Sequence, residues 1–144
     1  MINILLSFFT IISLSISTIP QDLEKAFLQE EPKILYNLLS TQSYIQISLP
    51  DPISFYDQLS HEQTYFFFKN IFSSYITFEF HSERPSLSPE EKNFILKTRW
   101  SFKDKKSNNQ YVFHVFFYLT KEKNQKKQNL PGLWKITEIK ADKI

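Results

Sequence analysis

The side chains that could transfer protons are few and are spread along the chain. His81 and His114 lie in apolar stretches, and Asp57, Tyr36 and Tyr118 add a carboxylate and two phenols. Such groups act as general bases and as donors to a developing oxyanion. The chain has no His-x-x-x-His pair, no Gly-x-Ser-x-Gly elbow and no glycine-rich phosphate loop. Only the fold can therefore bring these groups together.

Metal and thiol chemistry find little support in the composition. There is no cysteine among the 144 residues, which excludes disulfides, cysteine-ligated zinc and iron–sulfur clusters. The three histidines are too far apart in sequence to share one helical face. The sequence therefore predicts neither a metal site nor a cofactor.

Most of these groups would be positioned by β-strands. Tyr111–Thr120 contains no Gly or Pro and is apolar, aromatic or β-branched except at His114, so it predicts a long central strand. Val112, Phe116 and Tyr118 share a face with His114, which indicates a partly polar outer face. Four more strands are expected, each with alternating inward residues: Tyr44–Leu49 (Ile45, Ile47, Leu49), Ile76–His81 (Ile76, Phe78, Phe80), Phe94–Phe102 (Leu96, Trp100, Phe102) and Leu133–Lys140 (Trp134, Ile136).

Three helices are expected on one side of these strands. Two short ones begin at Pro20 and Pro32, and Ser60 with Gln63 forms a capping box that starts a third. The third helix carries an apolar stripe at helical spacing: Thr64, Phe67, Phe68, Ile71, Phe72 and Tyr75. We interpret the stripe as core packing rather than as a ligand box, and we expect Asp57 and His61 to have capping or solvated roles.

The first 21 residues carry no charged side chain, and Ile4–Ile16 is an apolar run broken only by hydroxyls. The run is typical of a signal peptide, with small residues that allow cleavage before Thr18. We therefore expect residues 1–17 to be a leader or an N-terminal anchor and residues 18–144 to be a single domain. The mature chain would be exported, either periplasmic or secreted.

Charge is unevenly distributed along the chain. Residues 1–91 hold 11 acidic and 4 basic side chains, whereas residues 92–144 hold 13 basic and 4 acidic ones. The lysines concentrate in two predicted hairpin tips: Lys103, Lys105, Lys106, Lys121, Lys123, Lys126 and Lys127. They are either solvated tips or a basic surface for an anionic envelope component. Export argues against nucleic acid as a partner.

The order of elements, with several hydrophobic spacings, resembles the NTF2-like (cystatin-like) superfamily, and most of all the small exported bacterial DUF4783-type domains. The resemblance covers about 120 residues and has the following cues: Asp22, Ala26-Phe27, Leu38-Leu39, Tyr44–Leu49, Ser60 to Gln63, Phe67–Phe72 and Phe78–His81. It implies an α+β cone, in which a curved antiparallel sheet packs against a long helix and two short N-terminal helices. Gln29–Glu31 departs from the family pattern, because a glycine-containing turn often stands there.

The resemblance also implies a cavity between helix and sheet and pairing through the outer sheet face. The expected lining or core residues are Tyr36, Phe67, Phe68, Phe72, Trp100, Phe113 and Trp134. We therefore expect a non-catalytic exported binding domain, with a second copy, a small hydrophobic ligand or an anionic surface as partner. The alternative is an isomerase or dehydratase, which requires at least one titratable side chain in the cavity.

Overall fold

The computed structural model describes residues 18–88, 90–123 and 133–144, so the predicted leader at residues 1–17, Lys126 and Lys127 lie outside it. Three helices and six strands follow one another: α1 Thr18–Leu28, α2 Pro32–Leu38, β1 Ile45–Leu49, β2 Phe55–Leu59, α3 His61–Ser74, β3 Tyr75–Ser82, β4 Asn93–Asp104, β5 Gln110–Glu122 and β6 Leu133–Lys143. None of the helices in these ranges is long and apolar enough to cross a bilayer.

The strands form one curved sheet in the order β2-β1-β6-β5-β4-β3. The α+β architecture is confirmed, but the expectation of a purely antiparallel sheet is wrong, because β1 and β6 pair in parallel. β6 enters between β1 and β5, where Ile136 and Ile139 become fully buried. The short edge strand β2 was missed, since its five residues include three exposed ones and lack a clear apolar alternation.

The predicted helix signals are confirmed. Pro32 occupies the first turn of α2. At the start of α3 the Ser60 hydroxyl accepts from the Gln63 backbone N–H, and the Gln63 side chain accepts from the Ser60 N–H at 2.9 Å. This reciprocal pair satisfies two backbone donors that a helix end otherwise leaves unpaired. α3 then buries Phe68 and Phe72 against the sheet.

One strand face differs from the prediction. Ile76 and Phe78 were expected inward, but they are 37% and 51% exposed, whereas Thr77 is buried. A bulge between Thr77 and Glu79 causes the difference, because one extra residue shifts every preceding side chain to the other face. Phe80 follows the bulge and points inward as expected.

Backbone turns with positive φ use residues other than glycine. Glu30, Ser54 and Asn108 have φ angles of 54°, 52° and 60°. Asn108 lies in the β4–β5 hairpin, where asparagine adopts a positive φ more readily than most residues other than glycine. Glu30 stands in the turn after α1, and its carboxylate accepts from the Thr77 N–H at 3.4 Å. The Glu30 side chain thus links this turn to β3, at a position where glycine is usually preferred.

Candidate functional site

The space between the helices and the sheet is filled by aromatic side chains. Phe27 of α1 lies at its centre, with ring-centroid distances of 4.3 Å to Phe80, 5.2 Å to Trp100 and 5.3 Å to Phe72. Phe68 and Phe113 are also fully buried, while Phe67 and Trp134 are partly buried against the same core. These expected lining residues are therefore packing residues.

The interior contains hydroxyls but no acid or base in the part of the chain that the structure describes. The buried polar side chains are Ser40, Thr64, Thr77, Thr98 and Ser101. Four of these hydroxyls form hydrogen bonds within the domain. Thr77 Oγ1 accepts from the Trp100 indole N–H at 2.8 Å, and Thr98 Oγ1 donates to the Val115 carbonyl at 3.0 Å. Thr64 Oγ1 donates to the Ser60 carbonyl at 2.7 Å, and the Ser40 hydroxyl donates to the Glu122 carboxylate. A serine or threonine hydroxyl does not itself abstract a proton at neutral pH, so none of these five hydroxyls is a general base.

The proton-transfer candidates are not brought together. His114 and Tyr118 lie on β5 with their side chains on the outer face, as expected. His81 lies on β3 and Asp57 on β2, which are opposite edges of the sheet, and both are exposed. Tyr36 lies in α2, away from the other four. No two of these groups form the acid–base pair that the enzymatic alternative needs.

The outer face of the sheet mixes apolar and charged side chains. Ile95 is 54% exposed, and Phe78 is turned onto this face by the bulge. Around them lie partly exposed residues of β5 and charged residues of the neighbouring strands: Val112, Phe116, Tyr118, Glu79, Lys97, Arg99, Glu138, Lys140 and Asp142. Glu79 Oε1 lies 3.5 Å from Arg99 Nε and 3.9 Å from His81 Nε2.

The predicted basic residues form two separate groups. Lys103, Lys105 and Lys106 lie at the β4–β5 turn, whereas Lys121 and Lys123 lie at the other end of β5. The 13 residues of β5 separate the two groups by about 40 Å at the usual rise per residue. The described lysines thus do not form one continuous basic patch.

Two of these lysines have contacts within the domain. Lys105 Nζ donates to the Phe72 carbonyl at 3.2 Å, near the end of α3, where a cation suits the helix dipole. Lys121 Nζ lies 5.8 Å from the centre of the Trp134 ring, within the range of a cation–π contact. These contacts give both side chains a structural role.

An open cleft of about 520 Å³ lies beside the first turn of α3. It is lined by the end of α2, the loop that leads into β1 and the start of α3: Tyr36, Thr41, Gln42, Ser43, Tyr44, Ser60, His61 and Glu62. Tyr36 was expected in the central cavity but lies here. From the sequence, only a capping or solvated role is expected for His61. No local motif links it to Tyr36, which lies 25 positions earlier.

Metal binding finds no support in residues 18–88, 90–123 and 133–144, where no three His, Asp or Glu side chains are close enough to hold an ion.

Comparisons with known proteins identify the fold. No family model matches the chain, and no curated protein matches it. A DUF4783 family protein from Bacteroides uniformis is 14% identical with a TM-score of 0.60, covering 88% of this chain and 97% of its own. A ketosteroid isomerase-like protein from Erwinia carotovora atroseptica is 12% identical with a TM-score of 0.58, covering 83% and 86%.

A third solved structure, an NTF2-like protein of unknown function in nutrient uptake from Rhodospirillum rubrum, is 10% identical with a TM-score of 0.57, covering 86% of this chain and 93% of its own. At these identities the likeness concerns architecture and does not extend to activity. The chain therefore has the NTF2-like α+β fold.

Proposed function

We propose that this chain is an exported, non-catalytic interaction domain that pairs with a second copy through the outer face of its sheet. The single observation that carries the pairing is the composition of that face. It exposes Phe78 and Ile95 on β3 and β4, leaves apolar side chains of β5 partly exposed, and carries charges of both signs around them. The apolar leader at residues 1–17 supports export.

The inner face argues against a catalytic role. An isomerase of the kind named among the structural neighbours needs a cavity with a tuned acid or base. Here Phe27 and the rings around it occupy that volume, and His81, His114 and Asp57 lie outside it. The same packing argues against a small hydrophobic ligand at the position of Phe27.

The arrangement of charges on the outer face favours a second copy over an unrelated partner. Arg99, His114 and Asp142 are cross-strand neighbours on β4, β5 and β6. A two-fold axis parallel to β5 between two facing sheets places β4 of one copy over β6 of the other. Arg99 then meets Asp142 of the partner subunit, and the reverse pair forms at the symmetry-related position. An isologous interface requires this kind of self-complementarity.

Charge exchange combined with sedimentation equilibrium tests the pairing. Arg99→Asp should weaken the dimer at least about tenfold, because it sets two carboxylates against each other. The double variant Arg99→Asp with Asp142→Arg should restore it, since opposite charges face each other again. Arg84→Asp, in the exposed loop after β3, is the matched control and should not change the mass.

Two results would refute the pairing: a monomeric mass for the unaltered protein at about 100 μM, or a double variant as weak as the single one. Export is tested separately by the mass of the protein recovered from cells, which should correspond to a chain that begins at Thr18. An intact mass beginning at Met1 in the soluble fraction would contradict export by a cleaved leader.

A further inference from the structure

The cleft beside α3 has an aromatic wall that is held in place. The rings of Tyr36 and His61 are stacked with centroids 3.9 Å apart and an interplanar angle of 19°. Tyr65 meets the Tyr36 ring edge-on at 5.6 Å. His61 Nε2 is 2.8 Å from the Tyr36 carbonyl oxygen, so α2 and α3 are joined by a hydrogen bond as well as by ring packing.

The opposite wall of the cleft is the loop between α2 and β1, and it is also fixed. The Ser40 hydroxyl is fully buried and accepts from the backbone N–H groups of Gln42 and Ser43, both at 3.2 Å. The Ser40 N–H donates to the Ile136 carbonyl at 2.9 Å. Gln42 Nε2 donates to the Lys123 carbonyl at 3.2 Å. A cleft between two fixed walls loses little conformational entropy when a ligand binds.

The lining points to a ligand that donates hydrogen bonds. Because the Tyr36 carbonyl can only accept, His61 Nε2 carries a hydrogen, and in the neutral imidazole Nδ1 is then an acceptor. Glu62 Oε1, another acceptor, lies 3.9 Å from Nδ1. Two acceptors at this separation suit two adjacent ligand hydroxyls, each of which donates to one of them. Neither Lys nor Arg is among the eight lining residues that the structure describes, which favours an uncharged ligand over phosphate, sulfate or carboxylate.

The remaining lining residues suit a ligand that has both hydroxyls and an apolar face. Five of the eight carry hydroxyl groups, and none is aliphatic. Tyr44 is 67% exposed, so its ring is available for stacking. The face of an aromatic ring is partly negative and attracts the C–H groups that line one side of a sugar ring. The volume of about 520 Å³ falls within the usual range for small-molecule sites.

We propose that this cleft binds a neutral saccharide unit, with its C–H face on Tyr44 and with two adjacent hydroxyls that donate to His61 Nδ1 and Glu62. A lysine-containing peptide is the competing ligand, because Glu62 is negative. The saccharide is favoured since the cleft has one carboxylate, which is 69% exposed and therefore attracts a cation only weakly. Hydroxyl-bearing side chains, by contrast, contribute most of its lining.

The proposal can be tested by titrating the ¹⁵N-labelled full chain with chitotriose in its neutral, fully N-acetylated form and following the amide chemical shifts. Shifts should be confined to residues 36–44 and 60–62, with a Kd on the order of 1 mM for so few contacts. Tyr44→Ala should weaken binding by about fivefold or more. Tyr56→Ala is the matched control: Tyr56 is 80% exposed but lies on β2 outside the cleft, so affinity should stay unchanged.

Three outcomes would overturn the proposal. The first is the absence of shifts at about 20 mM of both chitotriose and maltotriose. The second is an affinity for chitotriose that Tyr44→Ala leaves unaltered. The third is a trilysine peptide that shifts the same amides at lower concentrations than either sugar, which would make the cleft a peptide site. Both tyrosines are exposed, so neither substitution should unfold the domain.

Discussion

Phe27 provides the sharpest test of the claim that the cone is filled rather than hollow. Its side chain is 1% exposed and contacts rings from α3, β3, β4 and β5, at 6.0 Å to Phe68 and 6.0 Å to Phe117 besides the three shorter contacts described above. Phe27→Ala removes the ring at the centre of this cluster. The surrounding residues belong to different elements, so they cannot close around the void without moving whole strands.

The expected cost is large on the scale of a single domain. Truncation of a buried phenylalanine lowers the free energy of unfolding by about 3–5 kcal/mol, part of it from the cavity that remains. For a domain of about 120 residues the entropy of unfolding is close to 0.25 kcal/mol per kelvin, so Tm should fall by roughly 12–20 °C. Total stabilities are typically about 5–15 kcal/mol, so the variant should fold but with little margin.

Urea unfolding followed by tryptophan fluorescence measures this loss, because Trp100 lies 5.2 Å from the Phe27 ring. Phe66→Ala is the matched control: the same substitution at a residue of α3 that is 57% exposed should change stability by no more than about 0.5 kcal/mol. If Phe27→Ala does not fold, Phe27→Leu should still cost about 1–2 kcal/mol. A loss below about 1 kcal/mol for Phe27→Ala would refute the packed interior.

Three further substitutions test single interactions. Ser60→Ala removes the side-chain cap of α3 and should lower stability by about 1 kcal/mol; an unchanged urea midpoint would contradict this. Thr77→Val keeps the side-chain shape but deprives the buried Trp100 N–H of its acceptor, so it should cost about 1–3 kcal/mol, and a cost near zero would show that the bond is dispensable. Burial, and to a smaller extent Asp104 and Tyr111, raises the pKa of Tyr75 above its usual 10.0. The folded state therefore holds this proton more tightly, so the free energy of unfolding should fall as pH rises above 10.0, and Tyr75→Phe should reduce the fall. If urea titrations at about pH 9 and about pH 11 give the same fall for the unaltered protein and for Tyr75→Phe, the effect is excluded.

Periodic segments allowed much of the fold to be predicted. The alternation in β1, β4 and β5 placed Ile47, Trp100 and Phe113 on the buried face, and all three are at most 1% exposed. The capping box at Ser60 fixed the start of α3. These signals are local: a strand alternates with period two and a helix cap spans four residues, so the amino-acid order alone carries them.

Other features depend on contacts between distant segments. The bulge in β3 is defined by its register against β4, so the sequence alone did not show that Phe78 would turn outward. The position of β6 between β1 and β5 depends on pairing with β1, whose residues lie 92 positions before their partners, as in Gln46 and Glu138. Strand order of this kind depends on how all six strands are buried together, and no local sequence pattern predicts it.

The same distinction applies to the candidate sites, some features of which follow from local sequence and others from tertiary contacts. The sequence by itself determined that His114 shares a strand face with Val112 and Phe116, because residues two apart on a strand point to the same side. Only the tertiary structure decided that Phe27 occupies the interior and that Tyr36 stacks on His61. Both arrangements join residues from different elements, and their geometry is set by how α1, α2 and α3 pack on the sheet and on one another.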